Sequence, residues 1–572
     1  MKRFCRLIGL LTLAAASVPQ AISAGQAGPR RRAASPRAER PGAGAFRIAG
    51  RVIDATTGAP LAGATVSINV DNDPVETTAG GDGSFAFDGL KAGKYPLYAR
   101  ARGYVQEGYN QHGAFLTAAV TGNGLDSEHL VFKLHPEAVL YGKVTDERGE
   151  ALRHAQVRLF SADGGWGQRR VAMVSQKNTD DLGEYRFAHL RAGKYYVAVE
   201  ARPWYAQTGF RYMPEQDPQA GPGTIIRFSG PRQTPADSML DVVYPVTFYP
   251  GVTDGSAAGQ IALDWGESEE ADVSLQAVPS VHILVTNLPT DDKGNANYGV
   301  GAMGRVLGRM EYGVPASSAQ VGPGEYEIAG LPPGEVTLRL FGQGGAAMAP
   351  LEVDASEGQS VDARGARANA SVSGQLIFPA GSASVTAGQV ILANGDGRNF
   401  GARLEKDGTF KFREVEAGTY RVMVGVQGER FYASKMTAAG AKANGRDVVI
   451  EGAGDVSLVV TLGRGLGRVT GLVEQDGKPA AGTMVILTPE SGQDMEQDTR
   501  IDESDSDGTF TLANIIPGKY VLIAIADGWD LEWAKPGALQ PYRTKGQVLQ
   551  IEGDENKEVT VEVQRKTTAA ER

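Results

Sequence analysis

From residue 46 onward, apolar side chains occupy alternate positions over short runs that are broken by glycine-bearing turns. Phe85 and Phe87, Tyr185 and Phe187, Phe410 and Phe412, and Phe510 and Leu512 all follow this spacing, the period of a strand with one buried face. Each run belongs to a larger repeat in which a second glycine stands ten positions after a first: Gly83–Gly93, Gly183–Gly193, Gly324–Gly334, Gly408–Gly418 and Gly508–Gly518. Two positions after the first glycine stand Phe85, Tyr185, Tyr326, Phe410 and Phe510. Two positions after the second stand Tyr95, Tyr195, Val336, Tyr420 and Tyr520. Asp82-Gly83, Asp407-Gly408 and Asp507-Gly508 are turn dipeptides, because glycine takes positive φ without penalty and aspartate suits the neighbouring turn position. The pattern predicts strand, turn, strand in every copy. We read this as a hairpin, which is marginal alone in water and must pack on further strands.

Those further strands are legible on both sides. Gly50-Arg51-Val52, Gly142-Lys143-Val144 and Gly471-Leu472-Val473 open copies one, two and five, while copies three and four offer only Val281-His282-Ile283 and Gly374-Gln375-Leu376. Leu130–Leu134 and Val456–Val460 read as closing strands. Roughly seven short strands per unit suit a small antiparallel sandwich, and no amphipathic helix of three turns is evident.

The string G-x-V-x-D…G-x-P-L-x-G-A-x-V, followed by D-G-x-F-x-F-x-x-L-x-x-G-x-Y, resembles the carboxypeptidase regulatory-like domain. That family is a transthyretin-like sandwich grouped with carbohydrate-binding-like folds. Copies one and five match along most of their length, copy two in both halves, and copies three and four mainly in the hairpin half. The resemblance implies an all-β chain of five tandem antiparallel sandwiches and implies no catalytic activity. The expected segments are a signal peptide over 1–24, a basic linker over 25–45, and sandwiches over 46–136, 137–280, 281–366, 367–464 and 465–566. The second carries an aromatic-bearing insertion over about 202–250.

Lys2, Arg3 and Arg6 precede a short apolar run, Leu7 to Val18, and Ala21-Ile22-Ser23-Ala24 offers a cleavage site, so an exported protein is expected, periplasmic, outer-surface or secreted. No later apolar stretch approaches membrane-spanning length. Cys5, the single cysteine, lies inside the expected signal peptide, which leaves no disulfide, thiolate metal site or thiol nucleophile. Export without disulfides points to a bacterial envelope. The formal net charge is −10; residues 1–24 contribute three positive charges and 25–45 a net four, so the remainder carries −17. An acidic body excludes nucleic acid as the expected partner.

None of the six histidines, His112, His129, His135, His154, His189 and His282, lies in a zinc-protease spacing, and neither a nucleophile elbow nor a phosphate loop is present. An enzyme is not expected, and no cofactor. Asp502-Glu503-Ser504-Asp505-Ser506-Asp507-Gly508 has the look of a calcium loop, since hard cations want clustered oxygens. Position 514 is Asn where a bidentate Glu would be needed, and Asp507-Gly508 is also the repeat's own turn. A solvated acidic loop is therefore the reading adopted, with calcium on Asp502, Asp505 and Asp507 as its alternative.

Function is best sought in aromatics outside the repeat. Pro203-Trp204-Tyr205 leads into a Gly/Pro-rich loop that ends at Tyr244-Pro245-Val246-Thr247-Phe248-Tyr249-Pro250-Gly251, similar to a Tyr-Pro-x-x-Tyr-Tyr-Pro-Gly string that accompanies such domains in bacterial, notably acidobacterial, proteins. Trp204, Tyr205, Tyr244, Tyr249 and Trp265 form a candidate carbohydrate platform, because exposed rings stack on sugar faces. Trp529 and Trp533 form a second one. The competing reading makes the same rings packing residues, for which burial energies of roughly 2–3 kcal/mol each are reason enough. The expected partner is accordingly a carbohydrate or another envelope protein, and the alternative role is a structural stalk or adhesion spacer. An accessory subunit of a hydrolase comes last.

Overall fold

In copies one to four the two strands of the repeat lie in different sheets, and in copy five, where Asn556–Gln564 pairs with both Gly467–Gln475 and Gly518–Ile525 and so links the sheets, the two still do not pair with each other; this corrects the hairpin expectation. The strand after the first glycine, Ser84–Leu90, Glu184–Leu190, Glu325–Leu331, Thr409–Val415 or Thr509–Ile515, pairs antiparallel with an opening strand, Phe46–Asp54, Ala138–Thr145, Val281–Thr286, Ala370–Ile377 or Gly467–Gln475. The strand after the second glycine pairs elsewhere: Gly193–Glu200 with Gln156–Gly164, Gly334–Gly342 with Tyr298–Val306, Gly418–Val426 with Gly388–Ala393, and Gly518–Ile525 with Met484–Pro489. Each unit is thus an arch from one sheet to the other. A hairpin would put both apolar faces on one side of one sheet. The arch instead sets Phe85 and Phe87 against Tyr95 and Leu97 across a shared core. Each closing strand, such as Leu130–Leu134, Gly454–Gly463 or Asn556–Gln564, lies parallel to its opening strand after crossing back from the second sheet.

This computed structural model describes residues 44–566 apart from 165–166, 168–169, 207–237, 292–297, 308–309, 343–347, 349, 357–358, 367–368, 383–386, 396–398, 428–429 and 492–494. The expected signal peptide, nearly all of the linker and most of the insertion lie outside the described residues. Five apolar cores follow in chain order, spanning Ile48–Leu134, Ala138–Leu275, Val281–Ala366, Ala370–Leu462 and Val469–Val561. Among the described residues helix is confined to short turns, such as Met495–Asp498 and Gln540–Arg543.

Each repeat position has a physical cause. The first glycine has φ between 69° and 83° in all five copies. It packs so closely on the opening strand that a Cβ at Gly83 would stand 2.4 Å from the Val52 carbonyl oxygen. Its own carbonyl accepts from the amides of Val52, Val144, Leu376 and Val473 of that strand, and in copy three from Leu288 just past its end, at 2.8–3.0 Å. Six positions after it the chain bulges, with positive φ at Gly89, His189, Gly330, Glu414 and Asn514. At the arch, the tyrosine hydroxyl donates to the carbonyl four residues back, Tyr95 to Lys91 at 3.1 Å, Tyr195 to Arg191 at 2.8 Å, Tyr420 to Glu416 at 3.0 Å and Tyr520 to Ile516 at 2.7 Å. Copy three has Val336 there and lacks this bond. It also carries Val285 where the other opening strands have Gly50, Gly142, Gly374 and Gly471 opposite the first aromatic. Glycine leaves room for that ring to lie down over the strand. With valine present, Tyr326 is only half-buried.

Candidate functional site

The candidate rings occupy three environments. In the second sandwich the Tyr205 hydroxyl donates to one oxygen of Glu147, and the Tyr244 hydroxyl donates to the other at 2.8 Å. The Arg148 guanidinium lies 5.6 Å over the Tyr205 ring. Burial pushes the Glu147 carboxyl up, but the tyrosine hydrogen bonds outweigh it and hold the group below the ordinary carboxylate range. Burial and then Glu147 raise the Tyr244 phenol well above its ordinary value, so it stays a donor. Tyr244 is buried and Tyr249 packs on the same core. Trp204 is different: it is 77% exposed and meets Tyr205 edge-on, with centroids 5.7 Å apart. Phe210, Arg211 and Tyr212 lie outside the described residues.

Trp265, Trp529 and Trp533 sit at junctions. Trp265 stacks on His135 at 4.2 Å, and His135 Nδ1 is 2.8 Å from the buried Glu107 carboxylate, whose other oxygen lies 3.5 Å from Arg191 of the second sandwich. Trp533 is buried in a cluster beside the fifth core and covers Gly167, whose carbonyl accepts from the Ala534 amide at 2.9 Å. Trp529 stacks on His112 at 5.0 Å with the rings 5° from parallel, and lies 5.4 Å from Phe115. These contacts bring the fifth sandwich against the first and second.

The acidic loop takes part in the same docking. Glu503 is 1% exposed and accepts from Thr117 Oγ1 at 2.6 Å, with His112 Nδ1 at 3.1 Å from its other oxygen. Asp505 pairs with Lys94 and accepts from the Ala118 amide at 3.0 Å, while the Ser506 amide donates back to Ala118 at 3.0 Å. Burial pushes the Asp505 carboxyl up and Lys94 draws it back; burial pushes Asp502 up to about 6. Asp507 accepts from the Thr509 amide and hydroxyl at 3.0 and 2.6 Å, as Asp407 does from Thr409. Among the described residues no group of three or more side chains is placed to hold a metal ion. His282 is bracketed by Asp241 at 2.8 Å and Glu327 at 3.0 Å, and His189 lies against Glu137, so each ring is held by carboxylates.

Neighbouring sandwiches also meet. Arg339 binds Glu311 at 2.7 Å and Glu416 at 2.8 Å across the third and fourth, and Arg446 binds Asp498 across the fourth and fifth. Phe160, Ala198 and Phe248 of the second pack on Val306 of the third. Residues from Gly44 onward form one compact unit. Beside the Phe248 contact a cleft of about 980 Å³ opens between the second and third sandwiches, lined by Pro245, Val246 and Tyr196 on one side and Tyr312, Pro333 and Val336 on the other. Sequence reasoning did not find this cleft. Its one signal was that copy three loses the tyrosine of the repeat at Val336.

The model of the carboxypeptidase regulatory-like domain matches residues 47–121 and 139–219. Among solved structures, the Bacillus anthracis TIE protein is 10% identical, with 90% of this chain and 74% of that one covered and a TM-score of 0.16. The minor pilin GBS52 of Streptococcus agalactiae is 18% identical over 35% of this chain and 98% of its own, with a TM-score of 0.18. BcpA, the major pilin subunit of Bacillus cereus, is 12% identical over 57% and 99%, with a TM-score of 0.14. No curated protein matches the chain. No helix among the described residues is long and apolar enough to cross a membrane. The described residues form an all-β tandem of sandwiches in which residues 47–121 and 139–219 match the carboxypeptidase regulatory-like domain.

Proposed function

We propose that the chain is an exported, non-catalytic structural or surface protein that works as a preassembled body and contacts other envelope proteins. One observation carries this reading. Groups 386 to 411 positions apart in sequence join the first and fifth sandwiches through Glu503, Asp505 and Lys94, and Trp529 stacks in the same place. Rings that a sugar-binding protein would display are used here to seal junctions, and the buried Glu503 carboxylate, met by Thr117 and His112, favours one docked arrangement over many loose ones.

Trp204 favours a second reading. It is the one candidate ring that stands mostly exposed, and it meets Tyr205, which bonds Glu147 and lies under Arg148; this edge suits carbohydrate binding by stacking and hydrogen bonding. A panel of glycans and insoluble polysaccharides separates the two. The structural reading expects no retention by the wild-type chain. Retention that disappears in Trp204→Ala, with the thermal melt unchanged, would reverse the order of the two readings.

A further inference from the structure

The cleft between the second and third sandwiches coincides with two departures that the repeat does not explain. Pro245, Val246 and Phe248 belong to the Tyr-Pro…Tyr-Pro-Gly string, and they form one wall. The other wall is the arch of copy three, the single copy in which the tyrosine corner is missing. There Val336 replaces the hydroxyl donor, and Pro332 stands where Lys91, Arg191, Glu416 and Ile516 supply the accepting carbonyl. An arch that elsewhere locks on itself is here left open towards a cavity. Proline, valine and ring edges line it together with Thr253, Asp254, Ser256, Arg305 and Glu335, so apolar and polar groups alternate around one cleft.

The rim is anionic. Asp254 has its carboxyl held below the ordinary range by its bonds to Ser256 and stays ionised. Glu335 lies opposite Asp354 across the ladder, a like-charge pair that ordinarily destabilises a sheet, and neither carboxylate has an ion-pair partner among the described residues. The cation at the mouth, Arg305, is committed to Glu352 at 2.9 Å. Valine, proline and ring edges beside unneutralised carboxylates select a chain that carries both apolar and positively charged side chains.

We infer that this cleft is a binding site for an extended peptide segment of a partner protein, one that alternates apolar and basic side chains. The inference rests on the structural and surface reading above and supplies its contact point. The probe is a fluorescent decapeptide of alternating valine and lysine, with its valine–glutamate counterpart as control, read by anisotropy against the full chain. Two exposed positions give the variants, Glu335→Lys to reverse the rim charge and Ser256→Trp to block the mouth, each checked for a melt no lower than that of the wild-type chain, Glu335→Lys being expected to raise it by pairing with Asp354. The lysine peptide should bind at least tenfold more tightly than the glutamate peptide, lose at least fivefold in Glu335→Lys, and lose measurable binding in Ser256→Trp. Equal binding of both peptides, binding indifferent to Ser256→Trp, or no peptide binding at all would overturn the inference. So would an oligosaccharide bound in the cleft and displaced by Ser256→Trp. A glycan captured at Trp204 instead would sink the structural reading while leaving the peptide result to stand or fall by itself.

Discussion

Glu414 and His189 hold left-handed backbone at a bulge where copies one and three have glycine. A side chain there costs about 1–2 kcal/mol of conformational strain, partly offset by the greater freedom glycine has when unfolded. Glu414→Gly should therefore stabilise the chain by about 0.5–1 kcal/mol in denaturant melts, and Glu414→Ala should give no gain. Tyr420→Phe removes the arch hydrogen bond and leaves the Glu416 carbonyl unpaired, an expected loss of about 1 kcal/mol by the same melts. The aromatic and glycine spacing made these positions legible as a repeat. It did not reveal the hydroxyl's acceptor or the bulge, because residue type at the bulge varies freely while only φ is fixed.

At the scale of the element, the sequence located strands well and their partners less well. Alternation at Phe85 and Phe87 says that one face is buried; it is silent on whether the next strand lies beside the first or across the core from it. The arch is decided by what covers that face. Gly83→Ala tests the close approach at its start: positive φ and a carbonyl oxygen 2.4 Å from the new Cβ should cost about 2 kcal/mol or more, whereas alanine at Gly58, also at positive φ but in open space, should cost less. The loop at 502–507 belongs to this scale as well. Its acidic run reads as solvated in the sequence, because nothing local announces a partner nearly four hundred positions upstream. Burial raises Asp502 to about 6 from an ordinary 3.8, so the folded state holds that proton more tightly than the unfolded chain. Stability from this group is then greatest at acid pH, falls as pH rises between about 4 and 6, and is flat above. Asp502→Asn keeps an acceptor for the Thr511 amide and should flatten that slope, a gain of up to about 2–3 kcal/mol at pH 7.

At the scale of the molecule, the repeat names five modules and leaves their arrangement open. Arrangement depends on which rings find partners in other modules. Trp529 and Trp533 look alike in sequence, in a loop after the last arch, yet one stacks on His112 of the first sandwich and the other covers Gly167 of the second. Among the candidate rings, Trp204 is the exposed one. The first and fifth sandwiches are docked through Glu503, Asp505 and Trp529, which makes a closed body rather than an extended string. Small-angle scattering of the chain from Gly44 onward tests it directly. A compact body of this length has a radius of gyration of about 24 Å, and five such sandwiches in line would give roughly 50 Å. The expected value is below about 30 Å, rising in a Glu503→Ala/Trp529→Ala double variant that keeps its strand content by circular dichroism. A wild-type value above about 40 Å would contradict the docked arrangement and return the chain to a stalk.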